Sequence, residues 1–249
     1  MNDNRSAKSA KKANFFRLVL GNIVMCATVA ALLFLAVTPS VDAGADAAVD
    51  RKPFYTGQSA TKVSLMINVY WGTEYIAPML EILDRYNAKT TFFVGGSWAV
   101  SNPDTLKKIY AAGHEIGNHG YYHKDHKKID EAYNRKEISS AHDAVKDILG
   151  IDMTLFAPPS GAYGAATLAV AEELGYRTVM WTRDTIDWRD HDSKLVYSRA
   201  VKDIKGGDLI LMHPTAHTVK ALEDIIKAVA EAGLVVSPVS EALCADDVA

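Results

Sequence analysis

From about residue 62 onward, short apolar runs alternate with stretches whose apolar residues recur every three or four positions. Val63–Val69 has the length and composition of a buried strand. Tyr75–Tyr86 carries Ile76, Met79, Leu80 and Leu83 along one side, which predicts a helix. Thr90–Val94 reads as the next strand. A helix then opens at Ser101-Asn102-Pro103-Asp104 and runs to Gly113, with Pro103 suited to its first turn. His114–Asn118, Leu155–Pro158, Arg177–Trp181, Asp208–Met212 and Leu234–Val239 read as strands. Between them, helical spacing covers Arg135–Leu149, Ala165–Leu174, Ser193–Ile204 and Val219–Ala232, the second and last closed by Gly175 and Gly233. Repeated strand–helix alternation predicts a parallel α/β architecture, and both an open doubly wound sheet and a closed barrel fit it.

The first 61 residues follow another pattern. Arg5, Lys8, Lys11, Lys12 and Arg17 face one acid, Asp3, and Leu18–Val37 is then almost unbroken in apolar residues. A basic flank before an apolar run of about 20 residues directs the remainder outward and is long enough to span a bilayer. Val41-Asp42-Ala43 offers a small-residue cleavage site, but the length of the run favours an uncleaved membrane anchor. Residues 1–43 are therefore expected to form the flank and anchor, residues 44–61 a linker, and residues 62–249 one extracytoplasmic domain. The whole chain has net charge −3; the first 43 residues hold five of its bases and two of its acids, which leaves −6 on the rest. No basic stripe remains there, which excludes nucleic-acid binding as the expected role. Cys26 and Cys244 lie near opposite ends, so no disulfide framework is expected.

Unusual residues gather just beyond the strand ends. Asn68 to Gly72 follow the first strand, His119 and His123 the third, and Ala157-Pro158-Pro159-Ser160-Gly161 the fourth. Asp184, Asp187 and Trp188 follow the fifth, and His213-Pro214 the sixth. In parallel α/β folds these positions share one rim, where sites assemble. The His119–His123 spacing puts two imidazoles on one side of a helical turn, where they could share a transition-metal ion; it equally suits two solvated histidines. Ser160 lacks the G-x-S-x-G elbow of serine hydrolases, and Gly161-Ala162-Tyr163-Gly164 is too sparse to cradle a phosphate. Tyr70 and Trp71 are candidates to line a sugar groove, while Trp98 and Trp181 are expected in the core.

In order and spacing these segments resemble the motifs of the polysaccharide deacetylases (the NodB-homology domain, carbohydrate esterase family four), over about residues 61–245. Met66-Ile67-Asn68-Val69-Tyr70 stands where the family has T-F-D-D-G, and His119-Gly120-Tyr121-Tyr122-His123 where it has H-[ST]-x-S-H. Ala157-Pro158-Pro159-Ser160-Gly161 stands for R-P-P-Y-G. Asp184-Thr185-Ile186-Asp187-Trp188 and Leu211-Met212-His213-Pro214 echo the last two motifs. Ile-Asn-Val-x-Trp-Gly and Ala-Pro-Pro-Ser-Gly are similar to a sporulation-associated, YlxY-like branch. The resemblance implies a distorted (β/α) barrel and removal of acetyl groups from an N-acetylated glycan such as peptidoglycan or chitin. By the same resemblance His119 and His123 are metal ligands, for zinc, cobalt or nickel. The resemblance also implies His213 as the proton donor with Asp187 orienting it, and Pro159, Ser160 and Trp188 join Tyr70 and Trp71 as the residues expected to face substrate.

The departures from that pattern fall on the chemistry itself. Asn68 stands at the usual base, and an amide cannot take a proton from water. Val69 stands at the third metal ligand and Ala157 at the arginine that pairs with the base. Losing both ends of a base–arginine pair avoids stranding a partly buried charge, so the site reads as rebuilt. Glu74 is the nearest acidic substitute in sequence, followed by Asp184 and Asp125. The expectation is a membrane-tethered, monomeric hydrolase of reduced or altered activity with weakly held metal. The alternatives are a catalytically inactive glycan-binding relative serving cell-wall or spore assembly, and another C–N hydrolase on the same scaffold.

Overall fold

The computed structural model describes residues 52–246. The basic flank, the apolar segment, the cleavage site and the first part of the expected linker lie outside the described residues. Among those described, no helix is long and apolar enough to cross a membrane.

β1 (Lys62–Val69) lies inside the sheet. It pairs in parallel with β2 (Thr91–Val94) on one side and with β7 (Leu209–Met212) on the other. Beyond β2 come β3 (Glu115–Asn118), β4 (Leu155–Phe156) and β5 (Arg177–Thr178); beyond β7 comes β6 (Arg183–Asp184). The strand order is thus β5-β4-β3-β2-β1-β7-β6, with every pair parallel. β5 and β6 stand at opposite edges although only residues 179–182 separate them in the chain. A link from Thr178 to Arg183 reaches at most about 18 Å, so the sheet must curl until its edges approach. That chain constraint chooses the distorted (β/α) barrel over an open sheet.

The two faces of β1 differ as strand alternation requires. Val63, Leu65, Ile67 and Val69 pack against the surrounding helices, whereas Met66 joins Phe93, Leu155, Ala157 and Leu209 in a smaller inner core. The helices are α1 (Ile76–Arg85), α2 (Gly96–Ser101), α3 (Pro103–Ala111), α4 (Glu131–Leu149) and α5 (Ala165–Glu173), followed by α6 (Asp187–Asp190), α7 (Ser193–Val201), α8 (Ala216–Glu231) and α9 (Val239–Ala242). α8 buries Ala221, Leu222, Ile225, Ile226 and Val229 along one stripe. β8 (Val235–Val236) pairs only with Lys62 and Val63, after which Val239, Ala242 and Leu243 fill the inner core.

Several expected boundaries move for local reasons. α4 starts four residues before Arg135 because the Asp130 side chain caps it, accepting the Tyr133 N–H at 2.8 Å. The strand expected over Arg177–Trp181 ends at Thr178, and residues 179–182 link one sheet edge to the other before β6 begins. Leu234–Val239 yields only a two-residue strand, since Pro238 stops it and opens α9. Residues 53–61 are not a free linker. Phe54 donates to the Thr178 carbonyl at 2.9 Å, Gly57 to Gly207 at 2.7 Å, and Asp246 takes the Ala60 and Thr61 N–H groups at 2.8 and 3.1 Å.

Candidate active site

A cavity of about 340 Å³ opens where the strands end, within the range of small-molecule sites. Asn68, Tyr70, His119, His123, Ser160, Asp184, Trp188 and His213 line it, as do Trp181 and Leu211. Residues spread over about 150 positions of sequence thus meet because each follows its own strand. Ordering of the backbone accompanies this convergence. His123, Ser160 and Ile186 hold φ values of 54°, 54° and 52°, a region costly for side chains other than glycine and most of all for a branched one.

His119 is buried, and its Nδ1 lies 2.7 Å from the Ala157 carbonyl oxygen. That oxygen can only accept, so Nδ1 carries the proton and Nε2 keeps its lone pair. The His123 ring stands 5.1 Å away between centroids. Burial, then the neighbouring His123, push His119 well below the ordinary histidine range, and burial also pushes His123 down. Both are neutral imidazoles at neutral pH. Tyr70 stacks on His123 at 3.6 Å and Trp71 on His213 at 5.4 Å, so the two residues after β1 cover two of the imidazoles. Trp98 is buried and holds that turn by donating its indole N–H to the Gly72 carbonyl at 2.7 Å.

Across the cavity, His213 is tied to fully buried Asp187. Ring Nδ1 and backbone N–H meet the two carboxylate oxygens at 2.8 and 2.6 Å, and Thr218 Oγ1 donates to the second at 2.6 Å. Burial alone would raise the Asp187 carboxyl; the bonds from His213 and Thr218 bring it below the ordinary carboxylate range. Asp187 therefore lies behind His213, outside the lining.

The polysaccharide deacetylase family model matches residues 56–179. A peptidoglycan-N-acetylglucosamine deacetylase of Bacillus cereus is 33% identical over 68% of this chain and 82% of its own length. The chain belongs to the polysaccharide deacetylase family. YlxY of Bacillus subtilis, an uncharacterized protein, is 36% identical over 84% of this chain, which spans 65% of YlxY. Wild-type BA3943 of Bacillus anthracis, described as a pseudoenzyme of carbohydrate esterase family four, superposes with a TM-score of 0.76 at 34% identity. That match covers 79% of this chain and 70% of BA3943. A mutant of BA3943 is described as having restored enzymatic activity.

Polysaccharide deacetylases of this fold rely on a metal, and the donor set here does not fit one fully. Val69 is buried in the helix-facing core and does not line the cavity. Asn68 is 3% exposed, with Oδ1 lacking a hydrogen-bond partner. Among the described residues no group of three or more His, Cys, Asp or Glu is arranged to hold an ion. His119 and His123 remain as a two-nitrogen fragment.

The substitutes nearest in sequence do not fill the gap. Glu74 is exposed, outside the cavity lining, and folds back to accept the Thr73 N–H at 2.9 Å. Backbone hydrogen bonds at Glu74 and Thr73 pull its carboxyl down, opposite to what a base needs. Asp125 turns to Lys128 at 2.9 Å. Only Asp184 among the three reaches the cavity. Pro159 is buried beside Gly120, one shell behind the lining, and Trp181, expected in the core, lines the cavity instead.

Other supporting residues were not singled out by the sequence. Asn118 is buried, donates to the Ile138 carbonyl at 2.8 Å and accepts the Gly120 N–H at 2.9 Å. Glu137 accepts the Tyr121 and Tyr122 N–H groups at 3.0 and 2.8 Å. Together they fix the His119–His123 loop. The available signal was Asn134 and Glu137 falling on the same helical stripe as Ile138 and Ala141, polar residues where apolar ones belong.

Proposed function

We propose that this chain is a catalytically silent member of its family, a binder of cell-wall glycan built from amino sugars. It acts outside the cytoplasm as a monomer tethered by its N-terminal segment. The observation that supports the reading is what the end of β1 offers beside an intact Asp187–His213 pair: Asn68 brings a buried amide that cannot act as a base, and Val69 packs into the helix-facing core outside the cavity lining. A decayed site would not keep a buried carboxylate with three satisfied hydrogen bonds, since leaving any one unmade costs about 1–3 kcal/mol. Relatives named as peptidoglycan deacetylases support glycan as the ligand class.

The test gives the full chain, in detergent, chitooligosaccharides or peptidoglycan fragments with added zinc or cobalt. Binding by calorimetry and acetate release are followed together. Binding without acetate is expected. Acetate release abolished by His213→Ala would overturn the reading in favour of a weakened hydrolase, for which Asp184 is the carboxylate at hand.

A further inference from the structure

We propose that the cavity selects a sugar unit whose amine is free, with Asp184 as the anionic partner of the ammonium group. This rests on the glycan-binding reading above and names the chemical form of glycan that is preferred.

The sheet register sets the geometry. Asp184 pairs with Leu211, and Leu211 with Met66, so Asn68 lies two residues further along the same inward face. Strand spacing of about 4.8 Å puts the β6 and β1 backbones roughly 10 Å apart, with Leu211 as floor between them. Each wall offers an acceptor lacking a donor. Asp184 Oδ1 takes the Ile186 N–H at 2.8 Å, while Oδ2 has no hydrogen bond among the described residues. Asn68 Oδ1 is buried without a partner, and rotation of its amide exchanges oxygen and nitrogen, freeing the carbonyl to meet an entering donor.

No guanidinium answers Asp184 directly. Arg183 bonds Asp208 at 2.8 Å, Arg199 is held by Asp190 and the Thr185 carbonyl, and Arg189 by Asp190. Ala157 brings no cation from β4. Arg199 and His213 act on Asp184 only through space and do not offset its burial, which raises the half-buried carboxyl, and its Oδ2 lacks a donor among the described residues. An ammonium supplies three donors and the missing charge. An acetamide brings no charge and a single N–H donor, and its carbonyl oxygen finds no donor on the carboxylate. Trp181 and the half-exposed Trp188 line the same space and offer faces to a sugar ring and to a cation.

The experiment titrates the full chain in detergent with chitooligosaccharides and with fully deacetylated oligosaccharides of equal length. Wild type should bind the deacetylated form tighter by about tenfold or more at low salt. Asp184→Asn keeps an oxygen for the Ile186 N–H, so it should fold normally and bring the two affinities within about twofold. Glu131→Gln, an exposed acid far from the cavity in sequence, should keep the preference and so excludes general attraction to an acidic surface. Equal or reversed affinity in wild type, or a preference that survives Asp184→Asn, overturns the inference while leaving glycan binding intact. Binding of neither form overturns the glycan reading and this inference with it.

Discussion

The Asp187 carboxylate grips His213 twice, at ring Nδ1 (2.8 Å) and at the backbone N–H (2.6 Å), while itself fully buried. One contact sets the tautomer and the other fixes where the ring sits. Asp187→Asn keeps the size but sets an NH2 donor either against the His213 ring, whose Nδ1 must then switch from donor to acceptor, or against the His213 backbone N–H, which can only donate. A loss of about 1–3 kcal/mol in stability is expected from that clash of donors, read by urea denaturation. Glycan affinity should fall with it, because His213 lines the cavity. Unchanged stability would mean the carboxylate is not buried among donors as described.

Placing carboxylates at positions 68 and 69 tests whether His119 and His123 form a ligand fragment. Val69 packs among helix-facing apolar residues, so Asn68→Asp with Val69→Asp should destabilise the metal-free protein by several kcal/mol. Zinc should then recover part of that loss, because neutral His119 and His123 already present lone pairs. Thermal melts with and without zinc report it, and acetate release from chitooligosaccharide should appear only in the zinc-loaded variant. Wild type should show a much smaller zinc-dependent shift, abolished by His119→Ala. A double variant indifferent to zinc, together with a wild-type zinc shift that survives His119→Ala, would show that the two histidines are not a ligand fragment.

Much of this arrangement was legible in the sequence because it rests on short-range rules. The strand ends carrying Asn68, His119, Ser160, Asp184 and His213 could be placed from apolar runs and breakers, and parallel topology then puts them on one rim. Barrel closure was open on pattern alone, since nothing local says that residues 179–182 cross from one sheet edge to the other. Glu74 was misplaced for a similar reason. Nearness in sequence to Asn68 suggested nearness to the histidines, but the turn after β1 lets its carboxylate satisfy its own backbone. Asp184, more than a hundred residues away from Asn68, reaches the cavity through register.

His114 gives the protein a separate sensitivity to acid. It is 3% exposed, packs 5.2 Å from Phe92, and Nδ1 accepts the Thr90 N–H at 3.3 Å. Burial, then nearby Lys89, push it down to about 4 against the nearby Asp84. Between about pH 6.5 and pH 4 the unfolded chain binds a proton that the folded chain refuses, so this contribution is complete above 6.5 and lost as pH falls. The loss approaches about 3 kcal/mol at pH 4. His114→Asn retains an acceptor near the Nδ1 position and cannot take the proton. Its stability, followed by urea denaturation from pH 7.5 to 4.5, should fall less steeply than wild type. Parallel slopes would remove His114 from the acid response.

Glu137 links helix packing to the geometry of the cavity. It sits on the buried stripe of α4, yet one of its oxygens takes both the Tyr121 and Tyr122 N–H groups. These lie between His119 and His123, so the carboxylate determines the loop that carries both imidazoles. Glu137→Ala leaves two N–H groups without their acceptor, each at about 1–3 kcal/mol unless water replaces it. A fall in stability of roughly 2–4 kcal/mol is expected, with amide exchange at Tyr121 and Tyr122 accelerated beyond the global change. Glutamine keeps a carbonyl oxygen of the same reach, so Glu137→Gln should restore most of the protection. If Glu137→Ala lowers stability while those two amides exchange no faster than the remainder of the barrel, the carboxylate serves packing and the loop is held by Asn118 alone.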